Sequence, residues 1–277
     1  MDLDEIAYEK GDGVGRITLN RPDQLNPISA RVGGTRDQIE WALADAAADS
    51  SIGAVLLRGA GKAFSGGGDL TGNVRRETAL EQYEFMERAE RFHRVLRACP
   101  LPIVAAVHGY CLGAALNLIA CCDMVIAGES ARFGVPEGRI GLVGASPLVP
   151  LVGRQWAKFL ILTGELITGQ QARDIGLVLT VEPDDELFDR AGDLCGRMAR
   201  LPREAAVLNK RNVDAIADAS GDAAGRLAGN AHDALTLTNS PRATAPDGRT
   251  FRQILDTEGM QGMKKARAAQ YETPWLR

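Results

Sequence analysis

An α/β fold that closes in a helical C-terminal region is what the 277-residue sequence predicts, and three features of its patterning carry that expectation. Short apolar runs recur, as in Gly53-Ala54-Val55-Leu56-Leu57-Arg58 and Ile103-Val104-Ala105-Ala106-Val107, and read as strands. Longer stretches with apolar residues at helical spacing lie between them. From Asp184 onward the pattern is almost entirely helical. Strands alternating with helices, followed by a helical tail, place the chain in the α/β class. The expected division is a core domain over residues 1–198 and a helical C-terminal domain over residues 199–277.

Taken in order, Gly13–Leu19 alternates like a strand and runs into the Pro/Asn/Asp loop Asn20–Pro27. Ser29 is the expected N-cap of a helix reaching about Ala48, with Gly33 and Gly34 weakening its first turns. The strand Ala54–Leu57 feeds a first glycine turn. A long amphipathic helix from about Ala79 to Arg97 follows, and its charges, Glu90 among them, read as a solvated face. Pro100 and Pro102 punctuate before the strand Ile103–Val107, which feeds a second glycine turn. A short helix (Leu116–Cys122), a strand (Asp123–Ala127) and a loop carrying Glu137 come next. A helix over Gln155–Leu162 ends at Gly164, and a short helix from Gly169 leads to a strand at Val178–Val181. The polar stretch Asn239–Gly248 is the best candidate for a hinge.

Composition excludes several classes of function. Hydrophobic content of 45% and charged content of 25% fit a globular protein with a sizeable core. A net charge of −4 with dispersed Lys and Arg argues against a nucleic-acid surface. No apolar run approaches the roughly 20 residues that span a bilayer, and the acidic N-terminus lacks a signal pattern. The five cysteines show no metal spacing, so buried free thiols in a cytoplasmic protein are expected, with no metal site. Gly61-Lys62 lacks the rest of a phosphate-binding loop, and no dinucleotide fingerprint follows a strand.

The chemistry concentrates in two glycine turns and one carboxylate. The first turn is Ala63-Phe64-Ser65-Gly66-Gly67-Gly68-Asp69-Leu70; the second is His108-Gly109-Tyr110-Cys111-Leu112-Gly113-Ala114-Ala115-Leu116-Asn117; the carboxylate is Glu137 in Phe133-Gly134-Val135-Pro136-Glu137. Each turn follows a strand and precedes residues that can go helical, which aims backbone N–H groups outward. Two such donors aimed at one point make an oxyanion hole.

This combination resembles the crotonase family, also called the enoyl-CoA hydratase/isomerase family, from about Ile17 to about Val181. The resemblance implies a spiral of ββα units, with C-terminal helices used for trimer contacts in a homotrimer or dimer of trimers. It implies an acyl-CoA thioester as substrate and no cofactor beyond the coenzyme A which that substrate carries. Gly68 and Ala114 would supply the two oxyanion amides and Glu137 the acid/base. Ala63, Ser65, Gly66, Asp69, Leu70, Tyr110, Gly113, Asn117 and Pro136 would form the substrate-binding surface around them.

Two departures from the family pattern matter. Hydratases of the family use two glutamates, but Asn117 occupies the second position, and an amide cannot transfer a proton near neutral pH. The turn after Glu137, Gly141–Pro147, is shorter than in relatives. A single carboxylate suits double-bond isomerisation, in which Glu137, its pKa raised by burial, moves one proton between two carbons. Two other readings stand beside it. One is an acyl-CoA-binding member that has lost the chemistry; the other is a serine hydrolase using Ser65, which would need one of only three histidines as partner. Lys264, Lys265 and Arg267 are either a solvated helix end or contacts to CoA phosphates.

Overall fold

The computed structural model describes residues 2–70, 78–142, 147–239, 242–269, 271 and 273–276. Its larger sheet has six strands in the order β1 (Ile6–Gly11), β2 (Val14–Leu19), β3 (Ala54–Gly59), β4 (Ile103–Val107), β6 (Met124–Gly128) and β9 (Thr180–Glu182). All neighbours are parallel except the β1–β2 hairpin. Crossover connections force that arrangement, and they also bury both faces of the central strands. Hence β4, Ile-Val-Ala-Ala-Val, has no exposed position.

A second, smaller sheet joins β5 (Tyr110–Leu112), β7 (Arg132–Gly134) and β8 (Leu166–Thr168). It was not legible in the sequence, because three-residue strands carry no periodicity. Isolated bridges extend its logic: Ser65 pairs with Cys111, and Ile28 with Gly68. The chain thus deposits one strand in the large sheet, turns, and pairs its next residues with the preceding coil. That staircase is the spiral the resemblance implied.

Helix α1 is Thr35–Ala48 and not a longer helix capped by Ser29. Gly33, at φ 71°, breaks the approach, Gly34 is the N-cap, and Ser29 is buried with its N–H donating to Thr35 Oγ1 at 3.1 Å. Helix α2 (Ala79–Ala98) starts where expected, with a reciprocal cap between Thr78 and Glu81. Its polar face is not all solvated. Glu90 is buried against α8 (Asp222–Asn239), with Arg226 Nε 3.7 Å away and His93 Nδ1 at 3.6 Å.

Further helices are α3 (Ala114–Ile119), α4 (Leu148–Thr163), α5 (Gly169–Asp174), α6 (Leu187–Ala199), α7 (Arg203–Ala219) and α9 (Phe251–Ala268). The main core fills the space between the large sheet, α1 to α5 and the small sheet, while α6 covers the other face through Leu187, Ala191 and Cys195. All five cysteines are free. The presumed hinge is pinned where it is described. Phe251 N–H donates to the Ala243 carbonyl at 3.0 Å, Thr244 bridges Thr250, and Ala245 is buried. Residues 240–241 of that stretch lie outside the described residues.

Candidate active site

Three successive steps of the staircase meet at one point. In the first, Ser65 N–H donates to the Tyr110 carbonyl (2.9 Å), Ile28 N–H to the Gly67 carbonyl (2.8 Å) and Asp69 N–H to the Ile28 carbonyl (3.1 Å). The pairing uses the groups on either side of Gly68 and leaves the Gly68 N–H without an acceptor among the described residues. Gly67 has φ 106°, and a Cβ there would stand 2.8 Å from the Leu112 carbonyl oxygen, so only glycine lets the two steps close on each other.

In the second step, Leu112 N–H donates back to the Ser65 carbonyl (3.2 Å) and Gly113 N–H to the Gly134 carbonyl (3.0 Å). Gly113 is the N-cap of α3, which makes Ala114 its first residue, with an N–H that has no intrahelical acceptor. A Cβ on Gly68 would sit 3.7 Å from the Ala114 Cβ, which makes the two amide-bearing residues near neighbours. The short helix begins at Ala114, two residues before the expected start.

Glu137 comes from the third step. It lies in a 3-10 turn, Pro136–Ile140, rather than an open loop, and follows β7 with the buried Phe133 and Val135 behind it. Its carboxyl rests on the bare Cα of Gly113: any Cβ there would overlap Glu137 Oε1 and come within 2.9 Å of Oε2. Oε2 is sealed from solvent with no hydrogen-bond partner. Burial therefore pushes the Glu137 pKa up to about 7, opposed by its own backbone N–H and by the charge of Arg267, and assisted by Asp233. Asn117, whose N–H donates to the Gly113 carbonyl at 3.1 Å, also has a buried, unpartnered Oδ1.

The other expected site residues divide. Ala63 and Pro136 are buried in the walls of the turns, Gly66 N–H is bound to the Leu25 carbonyl at 2.7 Å, and Leu70 packs against the small cluster that holds Ile140 and, from α9, Ile254 and Met263. Asp69 neither caps a helix nor stands free, since it pairs with Arg21 Nη1 at 2.8 Å and ties the Asn20–Pro27 loop to the first turn. Tyr110 is exposed at the start of β5. Ser65 is fully buried and its Oγ accepts the Gly67 N–H at 3.1 Å, while His108 Nε2 lies 2.7 Å from the Gly61 carbonyl. The serine that a hydrolase would need is thus occupied in holding a turn. Lys264 and Lys265 are exposed. Residues 143–146 of the shortened turn lie outside the described residues.

Two groups belong here that the sequence did not single out for it. The charge of Arg267 of α9 acts on Glu137, and burial lowers the pKa of Arg267 itself. Asp233 of α8 acts on Glu137 as a second negative charge, with a buried, unpartnered Oδ1 and a pKa raised by burial to about 7. Nothing in the local sequence marks Asp233, a carboxylate in an amphipathic helix with no motif around it. A surface groove of about 540 Å³, lined by Leu162, Glu165, Tyr271 and Trp275 among others, shares no residue with this group. Among the described residues no cluster has the make-up of a metal site.

A spiral α/β fold bearing two glycine turns and a buried carboxyl defines the class of acyl-CoA enzymes that the sequence resembles. The family model described as enoyl-CoA hydratase/isomerase matches residues 9–269. The chain is 36% identical over 202 residues to 2,3-dehydroadipyl-CoA hydratase of Escherichia coli K12, covering 72% of this chain and 77% of that protein. It is 32% identical over 219 residues to the short-chain-enoyl-CoA hydratase of Clostridium acetobutylicum, covering 77% of this chain and 82% of the relative. The crystal structure of an enoyl-CoA hydratase/isomerase from Xanthobacter autotrophicus Py2 superposes with a TM-score of 0.89 at 29% identity, covering 98% of this chain and 99% of the other. The chain belongs to the enoyl-CoA hydratase/isomerase family.

Proposed function

We propose that this chain binds an enoyl-CoA thioester with its carbonyl oxygen between the Gly68 and Ala114 amides, and that Glu137 transfers the proton. The observation that carries this reading is the Glu137 carboxyl, seated on Gly113 with Oε2 buried and without a hydrogen-bond partner, beside Ala114, whose N–H, like that of its neighbour Gly68, has no acceptor among the described residues. Donors of this kind act on the charge that develops on the oxygen as the α-carbon loses its proton. A carboxyl with a pKa near 7 can both take and return that proton.

The reaction that one carboxyl and Asn117 suit best is a double-bond shift. Glu137 removes a proton from the α-carbon of a 3-enoyl thioester, the electrons pass into a dienolate, and the same carboxylic acid returns the proton to the γ-carbon. The product is the conjugated 2-enoyl thioester, with no net gain or loss of atoms. Coenzyme A enters as part of the substrate and no other cofactor takes part.

The test is turnover of 3-hexenoyl-CoA by the natural protein and Glu137→Gln. Loss of turnover with CoA-ester binding retained supports the proposal. Unimpaired turnover removes Glu137 from the mechanism. A second reading, an acyl-CoA-binding member without turnover, draws on Asn117; binding without conversion of either 3-hexenoyl-CoA or crotonyl-CoA would favour it.

Assembly as a homotrimer or dimer of trimers is part of the proposal. Helix α7 buries none of its residues within the chain and exposes Leu208, Val213 and Ile216, as a helix awaiting a partner subunit would. Sedimentation at micromolar concentration that finds only monomer would refute it. Among the described residues no helix is long and apolar enough to cross a membrane.

A further inference from the structure

We propose that Arg139 is the positioning residue for Glu137, and that the C-terminal segment beyond α9 completes its setting. The inference rests on the Glu137 reading and adds what fixes that carboxyl on Gly113.

Arg139 and Glu137 share the 3-10 turn Pro136–Ile140. With about three residues per turn, side chains two positions apart leave such a turn in different directions. Glu137 reaches Gly113, whereas Arg139 reaches the junction of α4 and β8. There its Nε donates to the Thr163 carbonyl at 2.7 Å and its Nη2 to Glu165 Oε1 at 3.0 Å. Two glycines permit this close seat. A Cβ on Gly164, at φ 62°, would stand 2.8 Å from Arg139 Nε, and one on Gly138 would stand 2.8 Å from the Ile161 carbonyl oxygen. The turn is also closed on itself, since Leu142 N–H donates to the Glu137 carbonyl at 3.0 Å. A guanidinium bound through two of its nitrogens is fixed in orientation, and it restrains the short backbone that carries both side chains.

Residues of the C-terminal segment close a third side. The Arg139 Cζ lies over the Tyr271 ring, 3.7 Å from its centroid. Trp275 N–H donates to Glu165 Oε2 at 3.3 Å, and the Trp275 ring lies 5.6 Å from that of Phe159 on α4. One carboxylate therefore binds the turn through one oxygen and the C-terminal segment through the other. A stacked ring adds to the largely buried Arg139–Glu165 pair by holding the guanidinium in one plane. Charges that act on Glu137 include those of Arg267 of α9 and Asp233 of α8. Arg139 acts on it instead through the shared turn.

The experiment compares the natural protein with Tyr271→Ala, Tyr271→Phe, Arg139→Lys and Glu137→Gln. It reads kcat and KM for 3-hexenoyl-CoA from about pH 5 to about pH 9, beside thermal melts. Y271A should keep KM within about threefold while kcat falls about 10- to 100-fold, as an intact but displaced base would give. The midpoint of its kcat/KM profile should move below about 7 toward the ordinary carboxyl value of 4.5, because a loosened turn lets water reach Glu137. Y271F keeps a ring over the cation and should restore both readings. R139K keeps the charge but loses the planar fork, and should behave as Y271A does. Natural kcat and an unmoved midpoint in either Y271A or R139K overturn the proposal. So does a loss of kcat that only tracks loss of folded protein, or a Y271F variant as impaired as Y271A. Glu137→Gln tests the underlying reading separately. If that variant turns over normally, the Glu137 assignment fails and the positioning role with it. If it is inactive while Y271A and R139K are natural, the positioning role alone fails.

Discussion

The Glu137 carboxyl occupies the space a side chain on Gly113 would fill. One residue thus does two jobs: its bare Cα seats the carboxyl, and its position as N-cap leaves the Ala114 N–H at the head of α3. Gly113 also has φ 53° and ψ −113°, a conformation that side chains resist. Gly113→Ala should therefore displace Glu137, lower kcat by at least 100-fold and destabilise the fold by about 1–3 kcal/mol. Steady-state kinetics with 3-hexenoyl-CoA and a thermal melt check both halves. A G113A protein with natural kcat would show that the seat is not needed.

Ala114 offers a clean way to remove one oxyanion donor. It is the first residue of α3, where proline is tolerated because the N–H has no intrahelical acceptor. Ala114→Pro should fold, bind a CoA ester and lose about 100- to 1000-fold in kcat. A fall in binding with kcat preserved would place the thioester oxygen elsewhere.

The raised pKa of Glu137 sets the sign of two pH effects. As a base the residue must be ionised, so kcat/KM should climb with pH through an apparent value of about 7, with Arg267 of α9 and Asp233 of α8 as the charged groups that act on it. Stability runs the other way. The native carboxyl holds its proton more tightly than the unfolded chain's value of 4.5, so this contribution is complete below 4.5 and is lost as pH rises through about 7. Glu137→Gln should remove that loss and raise stability at pH 8 by at most about 3 kcal/mol, while lowering kcat by about 100- to 10,000-fold. Chemical denaturation at pH 5 and pH 8 reads the first effect.

Asp69 should prove structural. Its pairing with Arg21 at 2.8 Å joins the Asn20–Pro27 loop to the first glycine turn, and Arg21 also lies 3.4 Å from the buried Glu5. Asp69→Ala leaves Arg21 with one acidic neighbour and should cost about 1–3 kcal/mol in stability. The loss of activity should track the loss of folded protein. A fully stable D69A with kcat reduced 100-fold would assign Asp69 to the chemistry instead.

Some of this was open to reading along the chain because the forces involved are local. The run Ile103–Val107 announces a strand, and the amphipathic spacing from about Ala79 announces the helix that follows the first glycine turn. The glycines of the two turns mark places where backbone must be approached closely. Other features escaped for equally physical reasons. A helix reading from Ser29 ignored how firmly Gly33 breaks a helix, and Glu90 looked solvated because nothing near it in sequence reveals Arg226.

By itself the sequence determined the α/β pattern, the two glycine turns, the lone glutamate at position 137 and the family they mark, since these rest on neighbours along the chain. Only the tertiary structure decided that Glu137 lies on Gly113, that Ser65 and Asp69 are bound into the scaffold, and that the charges of Asp233 and Arg267 act on the same carboxyl. Those relationships depend on which coil of the spiral stacks on which, and on burial that strips water from particular carboxyls. Residues far apart in the chain reach each other only after the staircase has closed.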